Sequence, residues 1–515
     1  MSSTRRSLLL AFASVAAIVA AEQAGATYIP YTLPQLNAVD YNIKGDGVTN
    51  DAAAINNFLL NCSNAGAAAY FPGGKNYNLG SSALTVPDGT TVFAAQNATF
   101  TRSSDPGSGG SWSTNYNTYT GSMISLGNHC RWSGGIFNNT AQLATSTTSV
   151  NPSTLTPPQS VTFTINAAGL NLVGGSVNFI RIQSASVPSA HMEGLVTTYS
   201  GTSLTVNVGF AAGSGTHTDW IILAASVYQA PMVLHGVTES IVENVRVTGN
   251  WYVGLLMDGW NVNGGSSVPS VSFCTFRNCY AEAVMNRGLY LYGGCNDNLI
   301  SECYVDGRNG FTDYGVNLNP ANAVGTTNVQ LRNKIAGCSV NTPGFQGFEL
   351  GDQSFYNTIT GCTAYGVTNT VSAGFLIQQA NTSVPQYNEL VNCVANNCAG
   401  VGFEFAGTLY GGATRCAAIL CKIGFEITSQ GGSTPSYISL TGCEADASTT
   451  IGFWLTGSAV DCDLTGIKAI SNGTNGIQVD SGCTNTLITG RSVSNTSSNL
   501  VNNGTGTVST GLVTV

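Results

Sequence analysis

Eight copies of one four-residue motif, glycine, apolar, variable, apolar, fill the second half of this chain and restrict its folds more than any other feature. In order they are Gly288-Leu289-Tyr290-Leu291, Gly315-Val316-Asn317-Leu318, Gly347-Phe348-Glu349-Leu350, Gly374-Phe375-Leu376-Ile377, Gly402-Phe403-Glu404-Phe405, Gly424-Phe425-Glu426-Ile427, Gly452-Phe453-Trp454-Leu455 and Gly476-Ile477-Gln478-Val479. Successive glycines are 27, 32, 27, 28, 22, 28 and 24 residues apart. A period of this length, built on two-residue alternation, describes a solenoid of stacked strands. A second motif lies between the copies, as in Lys334-Ile335-Ala336-Gly337-Cys338, Thr358-Ile359-Thr360-Gly361-Cys362 and Ser439-Leu440-Thr441-Gly442-Cys443. Each coil therefore has at least two strands joined by Asn-, Gly- and Ser-rich turns. Long helical periodicity is absent after residue 62. The prediction is an all-β chain folded as a parallel β-helix; a leucine-rich horseshoe would need regular leucines and shorter, more uniform repeats.

Composition agrees with stacked strands. Only 8% of the 515 residues are charged and 62 are glycine, against a usual charged fraction of about 25%. Hydrophobic residues make up 43%, which excludes a disordered chain. The net charge of −9 and the 17 Lys and Arg argue against nucleic acid as a ligand.

Residues 1–26 read as an export signal. Arg5-Arg6 precede an Ala-rich apolar run, and Ala24-Gly25-Ala26 is a cleavage-site pattern; the arginine pair suits a twin-arginine signal. The run is too short and too rich in alanine for a membrane span. The expectation is a secreted or periplasmic protein with no membrane segment after cleavage. Most of the fifteen cysteines recur at one place in the second motif, where Ile467 replaces one of them. That favours stacked buried thiols over a disulfide framework. Neither Cys393/Cys398 nor Cys416/Cys421 has the His partners of a zinc site, so no metal is expected.

The remaining chain divides into an N-terminal cap with the first coils (27–140), an inserted small β module (141–227) and the main β-helix (228–515). Residues 27–40 look extended. Asn50 or Asp51 caps a short amphipathic helix whose apolar face is Ile55, Phe58, Leu59 and Cys62. Such a helix would cover the open edge of the first coil. Ala141–Ser160 reads as a Thr/Ser/Pro linker. Beyond it Val161–Ile165, Phe179–Ile182, Gly194–Tyr199, Ser203–Val208 and Asp219–Ile222 read as strands of a β-barrel-like module.

The stretch Lys44-Gly45-Asp46-Gly47-Val48-Thr49-Asn50-Asp51-Ala52-Ala53-Ala54-Ile55, with Tyr70-Phe71-Pro72-Gly73-Gly74 after it, resembles the N-terminal signature of the pectate-lyase-like superfamily. The resemblance covers about residues 38–140 and, by repeat pattern alone, 228–515. It implies a right-handed helix and polysaccharide chemistry of the polygalacturonase or tailspike-depolymerase kind, in a superfamily that also holds lyases, epimerases and non-catalytic binders. The module, notably Arg181–Trp220, is similar to inserts of phage tail fibre proteins, which implies contact with carbohydrate or with other protomers. A homotrimer packed through the solenoid flanks is compatible with it.

In each repeat the apolar pair faces inward and the variable residue outward. Stacking predicts one outward row of Leu256, Tyr290, Asn317, Glu349, Leu376, Glu404, Glu426, Trp454 and Gln478. A second runs Asp258, Tyr292, Asn319, Gly351, Gln378, Ala406, Thr428, Thr456 and Asp480. Carboxylates flanked by aromatic rings and amides suit a sugar chain. Glu349, Glu404 and Glu426 are the catalytic candidates, and Tyr290, Tyr292, Asn317, Gln378 and Trp454 the substrate-binding ones. Glu404 and Glu426, one coil apart, cannot both ionise freely, so one pKa of the pair, that of Glu404, would rise. The favoured scheme is an inverting hydrolase with Glu404 as acid and Glu349, two coils away, as base; a retaining one would use Glu404 and Glu426. Asp258, Asp313 and Asp352 are weaker acidic candidates. A lyase would draw on Lys422 and Arg308 and, in so acidic a groove, on Ca²⁺. The other rival is a non-catalytic, tail-like glycan-binding adhesin. His129, His191, His217 and His235 have no metal or triad partner at recognisable spacing.

Overall fold

The computed structural model describes residues 33–104, 122–168, 170, 179–187, 190–224, 230–249, 251–259, 270–282, 284, 286–307, 312–319, 329–380 and 383–514. The export signal expected at 1–26 lies outside them, as does Arg308. The stacked coils belong to one compact unit, Leu36–Val515.

The protein is a right-handed parallel β-helix. One coil shows the plan: Glu389–Val391 and Val394–Asn396 lie in a 27-stranded sheet, and Val401–Ala406 in a 13-stranded one. Leu409 bridges to its neighbours before the next coil begins at Gly412–Thr414. All eight Gly-φ-x-φ motifs fall in the 13-stranded sheet, whose strands pair in parallel.

The repeated glycine has a steric cause. A Cβ on Gly402 would lie 2.7 Å from the Gly424 carbonyl oxygen and 2.8 Å from Ala418 Cβ, and one on Gly347 2.4 Å from the Gly374 oxygen. Only glycine lets the coils close at this corner. The residue after it enters the core. Phe348, Phe375, Phe403, Phe425 and Phe453 stack there with centroids 4.7–4.8 Å apart. Each buried ring contributes about 1.5–3 kcal/mol of apolar burial. A buried amide ladder runs beside them, with Asn298, Asn333, Asn357 and Asn388 each bonded to the next at 3.0–3.1 Å. The same side chains hold backbone groups of adjacent coils, so the buried amides are partnered.

All fifteen cysteines are free and buried. The stacked-thiol expectation fits this arrangement, and Ile467, which replaces a cysteine in the motif, is buried as well.

The helix Ala52–Ala65 buries Ala52, Ile55, Phe58, Leu59 and Cys62. Asn50 caps it through Ala52 N–H at 3.0 Å, while the Asp51 carboxylate turns back to the N–H groups of Lys44 and Gly45. Asn56 both accepts from Thr85 N–H and donates to the Ala83 carbonyl. It thereby satisfies the edge of Leu84–Val86, the terminal strand of the 13-stranded sheet. The expected extended run 27–40 is interrupted: Ala38–Tyr41 is a 3₁₀ turn capped by Asn37.

Ile136–Asn139 pairs with Arg246–Gly249, and Ile124–Leu126 with Met232–His235, so the solenoid continues across the intervening segment. That segment forms its own antiparallel sheet of six strands: Ala144–Ser146, Gln159–Thr164, Phe179–Ser184, His191–Ser200, Ser203–Ala212 and Trp220–Ala224. A bridge between Ser146 and Ile165 joins its end strands into a barrel around Phe163, Ile182, Met192 and Trp220. Ala144–Ser146 lies where composition suggested a linker; its pairing with Trp220–Ala224 overrides the local Thr/Ser bias.

Candidate active site

The nine residues of the first outward row are aligned in register. Leu256 pairs with Tyr290, Tyr290 with Asn317, Asn317 with Glu349, and Glu349 with Leu376. Leu376 pairs with Glu404, Glu404 with Glu426, Glu426 with Trp454, and Trp454 with Gln478. The second row aligns Asp258 with Tyr292 and Asn319, and Gln378 with Ala406 and Thr428.

Facing away from the core does not mean facing water. Leu256, Tyr290, Asn317, Glu349 and Leu376 are buried, whereas Glu404, Glu426, Trp454 and Gln478 are half-buried. At the closed end Tyr290 and Tyr292 pack with Val233, Val253 and Leu256. Tyr252 there touches Leu223 of the barrel. These two tyrosines are therefore packing groups rather than open platforms for sugar. The inserted barrel, which the sequence could not place against this face, meets it at Tyr252. Its buried Arg181–Glu193 ion pair, 2.9 Å long, lies within electrostatic reach of Asp313 on the solenoid.

Arg287 organises the closed half. Its guanidinium lies 4.4 Å from the Tyr290 ring centre and 4.9 Å from that of Tyr314, and its Nε donates to Asn317 Oδ1 at 3.2 Å. Asn317 donates to one Glu349 oxygen, and Gln378 to the other at 2.5 Å. Gln430 donates to Gln378 at 3.0 Å. Burial raises the Glu349 carboxyl, against the amides and Arg287, which favour its charge. Glu349 is thus an enclosed acceptor, and the water-activating role expected of it meets a carboxylate with both oxygens engaged.

Arg287 escapes the outward rule drawn from the sequence, which does not count the residue before each glycine. The alternation breaks at the glycine. Ala373, Val401 and Ile423 consequently cluster outside with Leu376, Ala406 and Trp454 rather than joining the main core. Their apolar character imitates a core position, and the signal lay in the polar residues at the same place, Arg287, Gln346 and Asn475.

This third row builds the surroundings of the open half. Burial among these side chains, then the charge of Glu426, raises Glu404 to about 7. Glu426 is raised by burial to about 7; Lys422 works against the shift and Asp480 adds to it. Trp454 stands next in register, its indole N–H donating to Asp480 at 2.9 Å, and Gln478 donates to the other Asp480 oxygen at 2.8 Å. Two acids poised near neutrality in an apolar wall, beside an indole and amides, can shuttle one proton and hold a polyhydroxylated ligand.

The other acidic candidates lie apart from this pair. Asp352 accepts from Ala380 N–H, Asp313 accepts from Asn286, and Asp258 is 3.7 Å from His235. Among the described residues no three His, Cys, Asp or Glu side chains converge as a metal site. No helix among them is long and apolar enough to cross a membrane.

The stacked parallel sheets define the class as a right-handed parallel β-helix protein. The family model described as rhamnogalacturonase A/epimerase, pectate lyase-like, matches residues 35–187. Among solved structures, the Dettilon tailspike protein shares 12% identity over 92% of this chain and 68% of its own, with a TM-score of 0.50. The Agl-KA catalytic domain shares 12% over 95% and 69%, at 0.52. The N-terminal fragment of bacteriophage Phi29 gene product 12 shares 11% over 89% and 66%, at 0.53. These likenesses are of fold. No curated protein matches the sequence.

Proposed function

We propose that this protein is an exported glycoside hydrolase that cleaves a polysaccharide lying along its outward row, with Glu404 as general acid and Glu426 as nucleophile. The observation that carries the reading is the register pairing of these two carboxyls within an apolar wall that raises both to about 7. Lys422 favours negative charge on Glu426, which leaves the shared proton on Glu404. Adjacent strands lie about 4.8 Å apart, close to the ~5–5.5 Å carboxyl spacing of retaining enzymes.

In the first step a Glu426 oxygen bonds to the anomeric carbon, the glycosidic C–O bond breaks, and the Glu404 proton passes to the leaving oxygen. Water then attacks the glycosyl ester, giving its proton to Glu404 and releasing Glu426 as carboxylate. Retention replaces the inverting scheme because Glu349 is enclosed. Export is carried by the signal pattern of residues 1–26.

The test is reducing-end release from a panel of plant, fungal and bacterial polysaccharides by wild type, Glu404→Gln and Glu426→Gln. Release by wild type, lost in both variants and with products heavier by one water, is the expected result. Unsaturated products would mean elimination. Binding without release would mean a non-catalytic glycan binder.

A further inference from the structure

Four tyrosines outside the acidic row, Tyr356, Tyr387, Tyr410 and Tyr437, occupy one turn position in four successive coils. Their ring centres are 4.8, 5.1 and 4.8 Å apart, with planes 3, 9 and 5° from parallel. They are 54, 41, 42 and 50% exposed, which makes them the largest aligned aromatic surface among the described residues. All four have positive φ, between 50 and 57°. For a side chain of this size that backbone is disfavoured by about 1–2 kcal/mol, and Asn or Asp adopts it more readily.

The turn itself does not demand an aromatic. The corresponding positive-φ positions hold Asp297 and Arg332 before the ladder, and Asp461 and Asn485 after it. Coil stacking already has the internal phenylalanine column in the same coils. The four coils that carry the tyrosines are also those that carry Glu349, Leu376, Glu404 and Glu426: each tyrosine is the next turn position after one of these residues.

From this coincidence we infer that the tyrosine ladder is a second carbohydrate-holding surface, for a neutral polysaccharide extended parallel to the solenoid axis. The inference rests on the hydrolase reading for its substrate class. Because the ring faces cover one another, the ladder presents edges and hydroxyls. Aromatic edges carry the positive end of the ring quadrupole, and each phenol both donates and accepts a hydrogen bond. Such a row matches the hydroxyl and ring oxygens of sugars repeated at about the coil spacing. Exposed Glu389, two residues past Tyr387, and Asp461, bonded to Tyr437 at the ladder's end, disfavour a polyanion.

The experiment is co-sedimentation with insoluble cellulose, chitin and α-1,3-glucan, together with turnover of soluble oligosaccharides of any polymer that is cleaved. Two double variants are compared with wild type. Tyr387→Asn with Tyr410→Asn removes the rings and suits the turn; Tyr387→Phe with Tyr410→Phe keeps the stack and removes the hydroxyls. Binding of at least one polymer should weaken about tenfold in the Asn pair and less in the Phe pair, a tenfold change being 1.4 kcal/mol. Turnover of soluble oligosaccharides should stay within about twofold, or below 0.5 kcal/mol. Equal sedimentation of wild type and both variants overturns the inference, as does the absence of sedimentation by wild type. Polymer binding that depends on the ladder, without cleavage by wild type, would retain the ladder and reject the hydrolase.

Discussion

Glu404 and Glu426 are register partners on adjacent parallel strands, and the apolar row beside them brings both carboxyls to about 7. The pairing makes stability depend on pH. An acid whose pKa is higher folded than unfolded holds its proton longer in the folded state, so stability falls as pH rises between the two values. For Glu404 that window runs from 4.5 to about 7. Glu404→Gln, which cannot ionise, should therefore melt above wild type at about pH 8, and its advantage should disappear towards the unfolded pKa. Thermal unfolding across this range checks it; an advantage that grows on acidification would reverse the sign and refute the raised pKa.

Product stereochemistry follows from the same pair. Catalysis through Glu404 and Glu426 predicts an anomeric configuration that is retained, observable by NMR of the first product formed. Either Gln variant should lower kcat by at least about 10²-fold, the usual contribution of a positioned acid or base. Inversion would return the base to a carboxylate farther from Glu404 and require Glu349 to leave its amide partners.

Arg287 should matter for folding as much as for the site. It is packed between two tyrosine rings and bonded to Asn317, which holds Glu349. Arg287→Ala leaves a buried carboxylate without its nearby cation, a loss expected to cost about 3–5 kcal/mol. Adding Glu349→Gln should recover part of this, because the unpaired charge is then gone. Denaturant unfolding of the two single variants and the double variant measures the coupling; strict additivity would mean that Arg287 and Glu349 do not interact.

The sequence made the solenoid legible because its rule is repeated: glycine where coils touch, an apolar residue inward, a variable residue outward. The register of Glu349, Leu376, Glu404 and Glu426 followed directly. What it concealed was long-range. Tyr290, Asn317 and Glu349 obey the outward rule, yet the closed end is packed against a barrel whose docking no local pattern encodes. Val401 and Ile423 look like core, and their outward turn depends on a backbone break at Gly402 and Gly424. The tyrosine ladder was hidden for the opposite reason, since its members lie at unequal distances along the chain and only the stacked coils align them.

The cysteines offer a test of the solenoid interior. Cys303, Cys338, Cys362, Cys393, Cys416 and Cys443 recur one to a coil, and each of their Sγ atoms donates to a carbonyl two residues earlier and to another in the preceding coil. Parallel strands offer these thiols stacking, and all are free. Burial raises the Cys295 and Cys462 thiols, so they carry little thiolate at neutral pH. A thiol reagent should modify none of the fifteen in the native protein and all of them in denaturant. Mobility on a denaturing gel should not change with reductant. Cys393→Val should fold, at a cost below about 1.5 kcal/mol, because a similar-sized apolar side chain suits the site; Ile467 already shows that this motif accepts one. Rapid native labelling, or a mobility shift on reduction, would mean that the column is open or cross-linked.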